Sequence, residues 1–232
     1  MNSVVNPLHV SRFLQVYDTA AVQEGIRISI GFDFHKYLSI ARATPTKGPT
    51  YPNFRPDRSR IKPGEGFWMV GVDKSNEVAL LEAARLYDLS HTNFAEHLES
   101  LKAFYGDPTV HAHPLDRCAC IAPSAKHITG KVAYLGDRWV RPDFRGRGFS
   151  KIMAGIARGV CFAMWTPDFV CGLVARKLVE KKVVYGYAHH ELGGSILQLI
   201  NEEIADDDCL VWQTGEELRN LVESKSELIL TS

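Results

Sequence analysis

The sequence predicts an α/β (α+β) fold with a mixed central sheet flanked by helices, and three observations predict it. The apolar run 67–72 (FWMVGV), the polar turn Asp73-Lys74-Ser75-Asn76 and a second apolar run over 77–89 read as a β-hairpin. Behind the hairpin, strand-like and helix-like stretches alternate to the end of the chain, which places helices on the faces of a sheet. One strand is joined to the next helix by the glycine-rich segment 141–149.

The elements follow in order. Residues 1–42 show helical spacing in Val10, Phe13, Leu14, Tyr17 and again in Phe34, Tyr37, Leu38, Ala41, interrupted by Gly25 and Gly31. Residues 43–66 hold five prolines and three glycines, with Lys47, Arg55, Arg58, Arg60 and Lys62, and read as a loop. That loop either links an N-terminal lobe to the main domain or folds across a site as a lid. Asn93 stands three residues before Glu96, a capping-box spacing, and Phe94, Leu98, Leu101 and Tyr105 extend the pattern to a helix over 93–105. Residues 106–130, with Pro108, Pro114 and Pro123, read as irregular, and 131–140 as a strand. From Ser150, the set Ile152, Ile156, Val160, Ala163 marks one helix face. A strand over 168–174, a charged helix over 175–182, a strand over 183–190, a strand over 209–213 and a helix over 215–223 complete the order. Two units are expected, an N-terminal helical extension with its proline-rich loop (1–65) and the main domain (66–232), forming one compact body.

Composition excludes several classes. The chain has 232 residues, 45% hydrophobic and 23% charged, which is ordinary for a globular protein and rules out disorder or collagen. Lys plus Arg equals Asp plus Glu at 27 each, so the basic excess of a general nucleic-acid binder is missing. Five cysteines are too few, and odd in number, for a disulfide scaffold of this length. The first residues lack a basic segment followed by an apolar one, and the longest apolar stretch, 160–165, is six residues against about 20 for a bilayer span. The expectation is a cytoplasmic, reduced protein without membrane or nucleic-acid partners.

Chemistry concentrates in 140–151, VRPDFRGRGFSK. A strand–glycine loop–helix junction aims backbone N–H groups and the positive end of a helix at one point, which suits phosphate. Gly146 and Gly148 allow close backbone approach, Arg145 and Arg147 add charge, and Ser150 caps the helix or donates a hydroxyl. The Walker pattern is not matched, and Lys151 stands where a dinucleotide fingerprint needs its third glycine.

Arg145-Gly146-Arg147-Gly148-Phe149-Ser150 resembles motif A of the GNAT superfamily of acyl-CoA-dependent N-acyltransferases, Arg/Gln-x-x-Gly-x-Gly/Ala, with Ser in the last small-residue slot. The preceding strand ending in Val140, the Pro142 after it, the hairpin before and the strand after the helix fall in the family's order. The resemblance covers roughly 66–190 and is specific over 132–160; the first 60 residues match nothing in it. It implies a GNAT-type sheet, with backbone amides of about 146–150 on the coenzyme A pyrophosphate. It further implies that strand 134–140, ending in Trp139 and Val140, pairs with the pantetheine arm and polarises the thioester carbonyl. The implied reaction is acetyl transfer from acetyl-CoA, a cosubstrate, to a small-molecule or peptide amine by direct attack in a ternary complex. No metal is implied, and a homodimer is compatible with the class. Two other readings stay open here: a GNAT-fold module that binds acyl-CoA with little or no catalysis, and an unrelated phosphate- or nucleotide-binding domain.

Acyl transfer needs a neutral amine, an oxyanion donor and a proton for the leaving thiolate. Strand alternation puts Asp137 and Trp139 on one face and Tyr134, Gly136 and Arg138 on the other, so Asp137 is a candidate base, or simply an arginine partner. The family's usual proton-donating tyrosine is missing from 175–182, which leaves Tyr185 and Tyr187 as candidates, or water. On a strand over 183–190, His189 would share their face and could act as a base, or be a surface residue. His111, His113, Cys118 and Cys120 have zinc-type chemistry, but C-x-C is tighter than structural zinc spacing. Gly155-x3-Gly159 is expected to let its helix sit close on the sheet.

Overall fold

The computed structural model describes residues 6–180 and 186–228. Helix α1 (Pro7–Gln23) starts at Asn6, whose side chain accepts from the Leu8 amide, with Pro7 in the first turn. Gly25, at φ +80°, turns the chain into strand β1 (Arg27–Gly31), an element that the helical spacing on either side had concealed. Helix α2 (Phe34–Ala43) is capped by Asp33, which accepts from the amides of His35 and Lys36. Strands β2 (Gly66–Val72) and β3 (Val78–Leu89) form the expected hairpin. Asn93 caps α3 (Phe94–Glu99) through the Glu96 amide, and the helix ends six residues short of the expected 105 because Leu101 adopts φ +60°.

Within 106–130 lie the short α4 (Pro108–His111) and β4 (Arg117–Ala119). Strand β5 (Gly130–Val140), helix α5 (Phe149–Trp165), strand β6 (Phe169–Ala175) and the short α6 (Arg176–Glu180) match the sequence reading closely. The next strand does not. Strand β7 runs His189–Leu199, after Tyr187 rather than through it, and 181–185 lie outside the described residues. Gly193 and Gly194 hid this strand: a Cβ on Gly194 would meet the Leu210 amide nitrogen at 2.3 Å, so glycine is needed for strand contact, not for a loop. Strand β8 (Ile204–Thr214) and helix α7 (Gly215–Leu228) are longer than expected.

Among the described residues eight strands form one sheet in the order β1-β2-β3-β5-β6-β8-β7-β4. Every neighbouring pair is antiparallel except β5 and β6, which makes the sheet mixed, as the sequence predicts. Successive β5 residues alternate between two cores. Val132 and Tyr134 join a core built with α2, α3 and Phe54, while Ala133 and Leu135 join one built with α1, α5 and α7. The first 43 residues therefore contribute to the sheet and to both cores. Gly155 and Gly159 seat α5 against α1 rather than against the sheet, since a Cβ there would meet the Tyr17 ring at 2.4 Å and Leu14 at 2.6 Å.

One irregularity positions the site. In the β3–β5 ladder, Leu81 pairs with Trp139 but Ala83 pairs with Gly136, so Asp137 and Arg138 together oppose Glu82. This is a β-bulge, and Asp137 takes φ +54° within it. The bulge resets the alternation. Tyr134 and Gly136 share the face of Asp137 and Trp139, against the expectation, and Arg138 turns to the α5 side.

Candidate active site

Parallel pairing between β5 and β6 covers only Val132–Phe169, Ala133–Val170 and Tyr134–Cys171. Beyond it the strands part, and a cleft of about 310 Å³ opens between them. Leu135 to Trp139 line one wall, Gly172 to Ala175 the other, and Asp206, Asp208 and Val211 of β8 a third side. Lys47, Gly48, Pro49 and Tyr51 close over it, so the 43–66 loop folds across the site. Arg85 of β3 fixes that loop. Its guanidinium donates to the Asn53 carbonyl at 2.8 Å, to Ser59 Oγ at 2.5 Å and to the Arg60 carbonyl at 3.0 Å. Arg55 and Arg58 add ion pairs to Glu202.

The glycine loop stands just past the end of β5. Gly146 (φ +79°) and Gly148 (φ +81°) adopt the left-handed conformation, and a Cβ on either would meet nothing within 4 Å. The backbone there is open to solvent, and its conformation is what requires glycine. Gly148 is the N-cap of α5 and offers no side-chain cap. The first intrahelical acceptor is its carbonyl, bonded by the Lys151 and Ile152 amides, so the amides of Phe149 and Ser150 point out of the helix end. The Phe149 side chain is buried against Phe144, so only its backbone faces out. Arg145 donates to the Val140 carbonyl at 3.0 Å. Arg147 pairs with Glu24 at 2.7 Å and lies over the Phe144 ring, 5.0 Å from its centroid. Trp139 is buried and donates to the Thr46 carbonyl at 3.3 Å, and Val140 pairs with Leu80.

The acid and base candidates separate. Asp137 lines the cleft, but both its oxygens are engaged: Tyr37 donates to one at 2.5 Å and Lys47 to the other at 2.7 Å. The Lys47 and Asp137 side chains are only 5% and 2% exposed, so this is a buried ion pair. Burial pushes the Asp137 carboxyl up, and Lys47, Tyr37 and Thr50 oppose the shift. Behind the bulge a second pair, Glu82–Arg138, lies on the α5 side, with Glu82 Oε2 buried and without a hydrogen bond.

Tyr187 lines the cleft floor, its hydroxyl 3.6 Å from where a Gly172 Cβ would stand. The Arg158 guanidinium lies 5.0 Å from its ring centroid. Burial raises its phenol above the ordinary range, opposed by Arg158 and Arg138, so it holds its proton at neutral pH. His189 is not among the cleft-lining residues. It stacks on Trp212, with centroids 5.2 Å apart, and bonds Glu217 at 2.8 Å. Tyr185 lies outside the described residues. His111, His113, Cys118 and Cys120 form no metal-binding group among the described residues; Cys118 Sγ instead sits 3.4 Å from Ser195 Oγ. No described helix is long and apolar enough to cross a membrane.

Sequence reasoning missed Asp206 and Asp208. The signal was there: Asp206-Asp207-Asp208 precede an apolar strand end, and alternation sends the outer two to one face and Asp207 to the other. Asp207 is exposed beside Arg176. Asp206 accepts a hydrogen bond from Tyr51. Burial, then repulsion from Asp206 and Asp207, pushes Asp208 up to about 7.

No family model matches the chain, and no curated protein matches it in sequence. Among solved structures, the fold is similar to Arabidopsis thaliana NAA60 in complex with acetyl-CoA, at 13% identity and TM-score 0.46, over 82% of this chain and 98% of that one. It is similar to mutant forms of the spermidine/spermine N-acetyltransferase SpeG from Vibrio cholerae, at 10% identity and TM-score 0.46, over 85% and 98%. SpeG from Vibrio cholerae in complex with manganese ions aligns at 13% identity and TM-score 0.44, over 86% and 98%.

Proposed function

We propose that the protein is an acyl-CoA-dependent N-acyltransferase of the GNAT superfamily, moving an acetyl group from acetyl-CoA to an amine in a ternary complex. One observation carries the reading. The parting of β5 from β6 opens a cleft whose far end leads, along a single strand, to the uncapped start of α5. An extended arm ending in phosphates needs that combination. From Leu135 onward, the β6-facing edge of β5 has no ladder partner among the described residues, and its backbone groups suit an amide-bearing chain such as pantetheine. The amides at 146–150 suit a pyrophosphate, each good charge-assisted bond contributing about 1.5–3 kcal/mol. Bound there, acetyl-CoA supplies an activated thioester.

The remaining roles fall to the chain's own groups. Backbone N–H groups of β5 near Val140 stabilise the oxyanion. Tyr187, holding its proton at the cleft floor, protonates the departing thiolate. Asp137 fixes Lys47 and with it the loop over the cleft. The test is thiol release from acetyl-CoA across a panel of amines. Amine-dependent release supports the reading; release at the rate of the enzyme-free control for every amine contradicts it. Tyr187→Phe, which keeps the packing, is expected to lower kcat about 10²-fold with acetyl-CoA affinity unchanged. Full turnover in both Tyr187→Phe and Tyr185→Phe would remove tyrosine from the mechanism.

A further inference from the structure

The charges that line the cleft do not balance. Among the described residues its lining carries four carboxylates, Glu82, Asp137, Asp206 and Asp208, and two cations, Lys47 and Arg138. Lys47 is bonded to Asp137 and Arg138 to Glu82. Asp206 and Asp208 have no cation among the described residues. Asp206 is held in place by the Tyr51 hydroxyl, a neutral donor, and Tyr51 in turn belongs to the loop that Arg85 fixes to β3. Asp208 is 8% exposed and lines the cleft, and its carboxylate makes no hydrogen bond or ion pair among the described residues. A carboxylate so buried and unpartnered is costly to a folded protein. A cationic ligand group in the cleft removes that cost.

We propose that Asp208 is the catalytic base and that Asp206, held by Tyr51, shares with it the binding of a primary alkylammonium acceptor with no carboxylate beside its amine. This rests on the acyltransferase reading and names the substrate class for the same site. The acceptor arrives as R–NH3+, and Asp208 takes one proton. The nitrogen lone pair then forms the C–N bond to the thioester carbonyl carbon. The C–S bond breaks, its electron pair leaves on sulfur, and the thiolate takes a proton from Tyr187, which is restored from the second nitrogen proton. The balance is R–NH3+ plus acetyl-CoA giving the N-alkylacetamide, free coenzyme A thiol and one proton to solvent through Asp208. A carboxylate on the carbon bearing the amine would face Asp206 and Asp208 directly, and like charges at that range exclude it.

The ionisation of Asp208 supports the role, since a base works best with its pKa near the operating pH. Burial raises it first, then Asp206 and Asp207 on its own strand, while Tyr51 from the loop, Tyr134 from β5 and Cys118 from β4 lie near enough to feel its charge. Lys47, Asp137, Arg138 and Tyr187 face the same cleft.

The test compares the full chain with Asp208→Asn, using butylamine and norvaline, the same carbon chain with a carboxylate beside the amine. The wild type is expected to acetylate butylamine with at least about tenfold higher kcat/KM than norvaline, equivalent to about 1.4 kcal/mol. Asp208→Asn is expected to lower kcat/KM for butylamine by about 10²–10⁴-fold with the acetyl-CoA Kd unchanged. Its acid limb near pH 7 should disappear, leaving a rise toward the amine's own pKa of about 10. A readout without turnover accompanies these. Because the folded-state pKa of Asp208 is raised, its contribution to stability is present below its ordinary range and is lost as pH rises through about 7. Asp208→Asn should therefore have the higher Tm at pH 8, with no difference below pH 4. Butylammonium chloride should raise the wild-type Tm above that in equal sodium chloride, and not that of the variant.

Wild-type kcat/KM and pH profile in Asp208→Asn, or a preference for norvaline, would overturn the proposal. So would a wild type that neither acetylates butylamine nor is stabilised by it. Failure of the wild type to bind acetyl-CoA would instead overturn the acyltransferase reading, and the salt comparison would still decide the ammonium site.

Discussion

Gly148→Val is expected to abolish acetyl-CoA binding while the protein stays folded. Gly148 sits at φ +81°, where a β-branched residue is strained by about 1–3 kcal/mol. A Cβ there would meet nothing within 4 Å, so the fold itself presents no obstacle. The strain falls within the ~5–15 kcal/mol stability of an ordinary domain. What the substitution removes is the bare backbone at the start of α5. The valine either displaces the loop, turning away the Phe149 and Ser150 amides, or projects its methyl groups over them. Loss of two or three charge-assisted bonds of about 1.5–3 kcal/mol each lowers affinity by at least about 10²-fold. Calorimetric titration checks this, with circular dichroism reporting the fold. A folded Gly148→Val protein that binds acetyl-CoA as the wild type does would contradict the assignment.

The second large effect falls on stability. Glu82→Ala is expected to cost about 3–5 kcal/mol, the range for removing one partner of a buried ion pair. Glu82 is 1% exposed, and its loss leaves the Arg138 guanidinium without its carboxylate while Arg158 contributes a second positive charge nearby. At roughly 2–4 °C per kcal/mol for a chain of this size, Tm should fall on the order of 10 °C. Replacing Glu82 and Arg138 together by methionine and leucine should recover much of the loss, because the pair's desolvation cost disappears with it. A Tm within 2 °C of wild type (about 1 kcal/mol or less) for Glu82→Ala would show that the pair carries no such weight.

The sequence made the hairpin, β5, the glycine loop, α5 and β6 legible because each depends on local pattern: alternation, a helix face and two glycines one residue apart. The bulge in β5 was not legible. It exists only in the pairing with β3, where Glu82 stands opposite both Asp137 and Arg138, and no single strand records that register. It also changed which side chains share the face of Asp137. Strand β7 was hidden for a related reason, since Gly193 and Gly194 interrupt the apolar pattern of the strand while Gly194 serves the approach of β8. The lid over the cleft was one of two readings of 43–66, and the long-range contacts of Arg85 and Glu202 decide between them. Asp206 and Asp208 were visible as residues, but their meaning depends on β8 bordering the gap between β5 and β6 and on the other cleft charges being answered by each other.

The most direct test of the central claim is thermal unfolding with and without acetyl-CoA, with ATP as the control anion. Ligand at 100 times its Kd stabilises by about 2.7 kcal/mol. For a chain of this size that is a shift of roughly 5–11 °C. The account predicts a shift of that order with acetyl-CoA, little with ATP, and its loss in Gly148→Val. No shift at millimolar acetyl-CoA, or an equal shift with ATP, would contradict it and reduce the glycine loop to a helix start open to any phosphate.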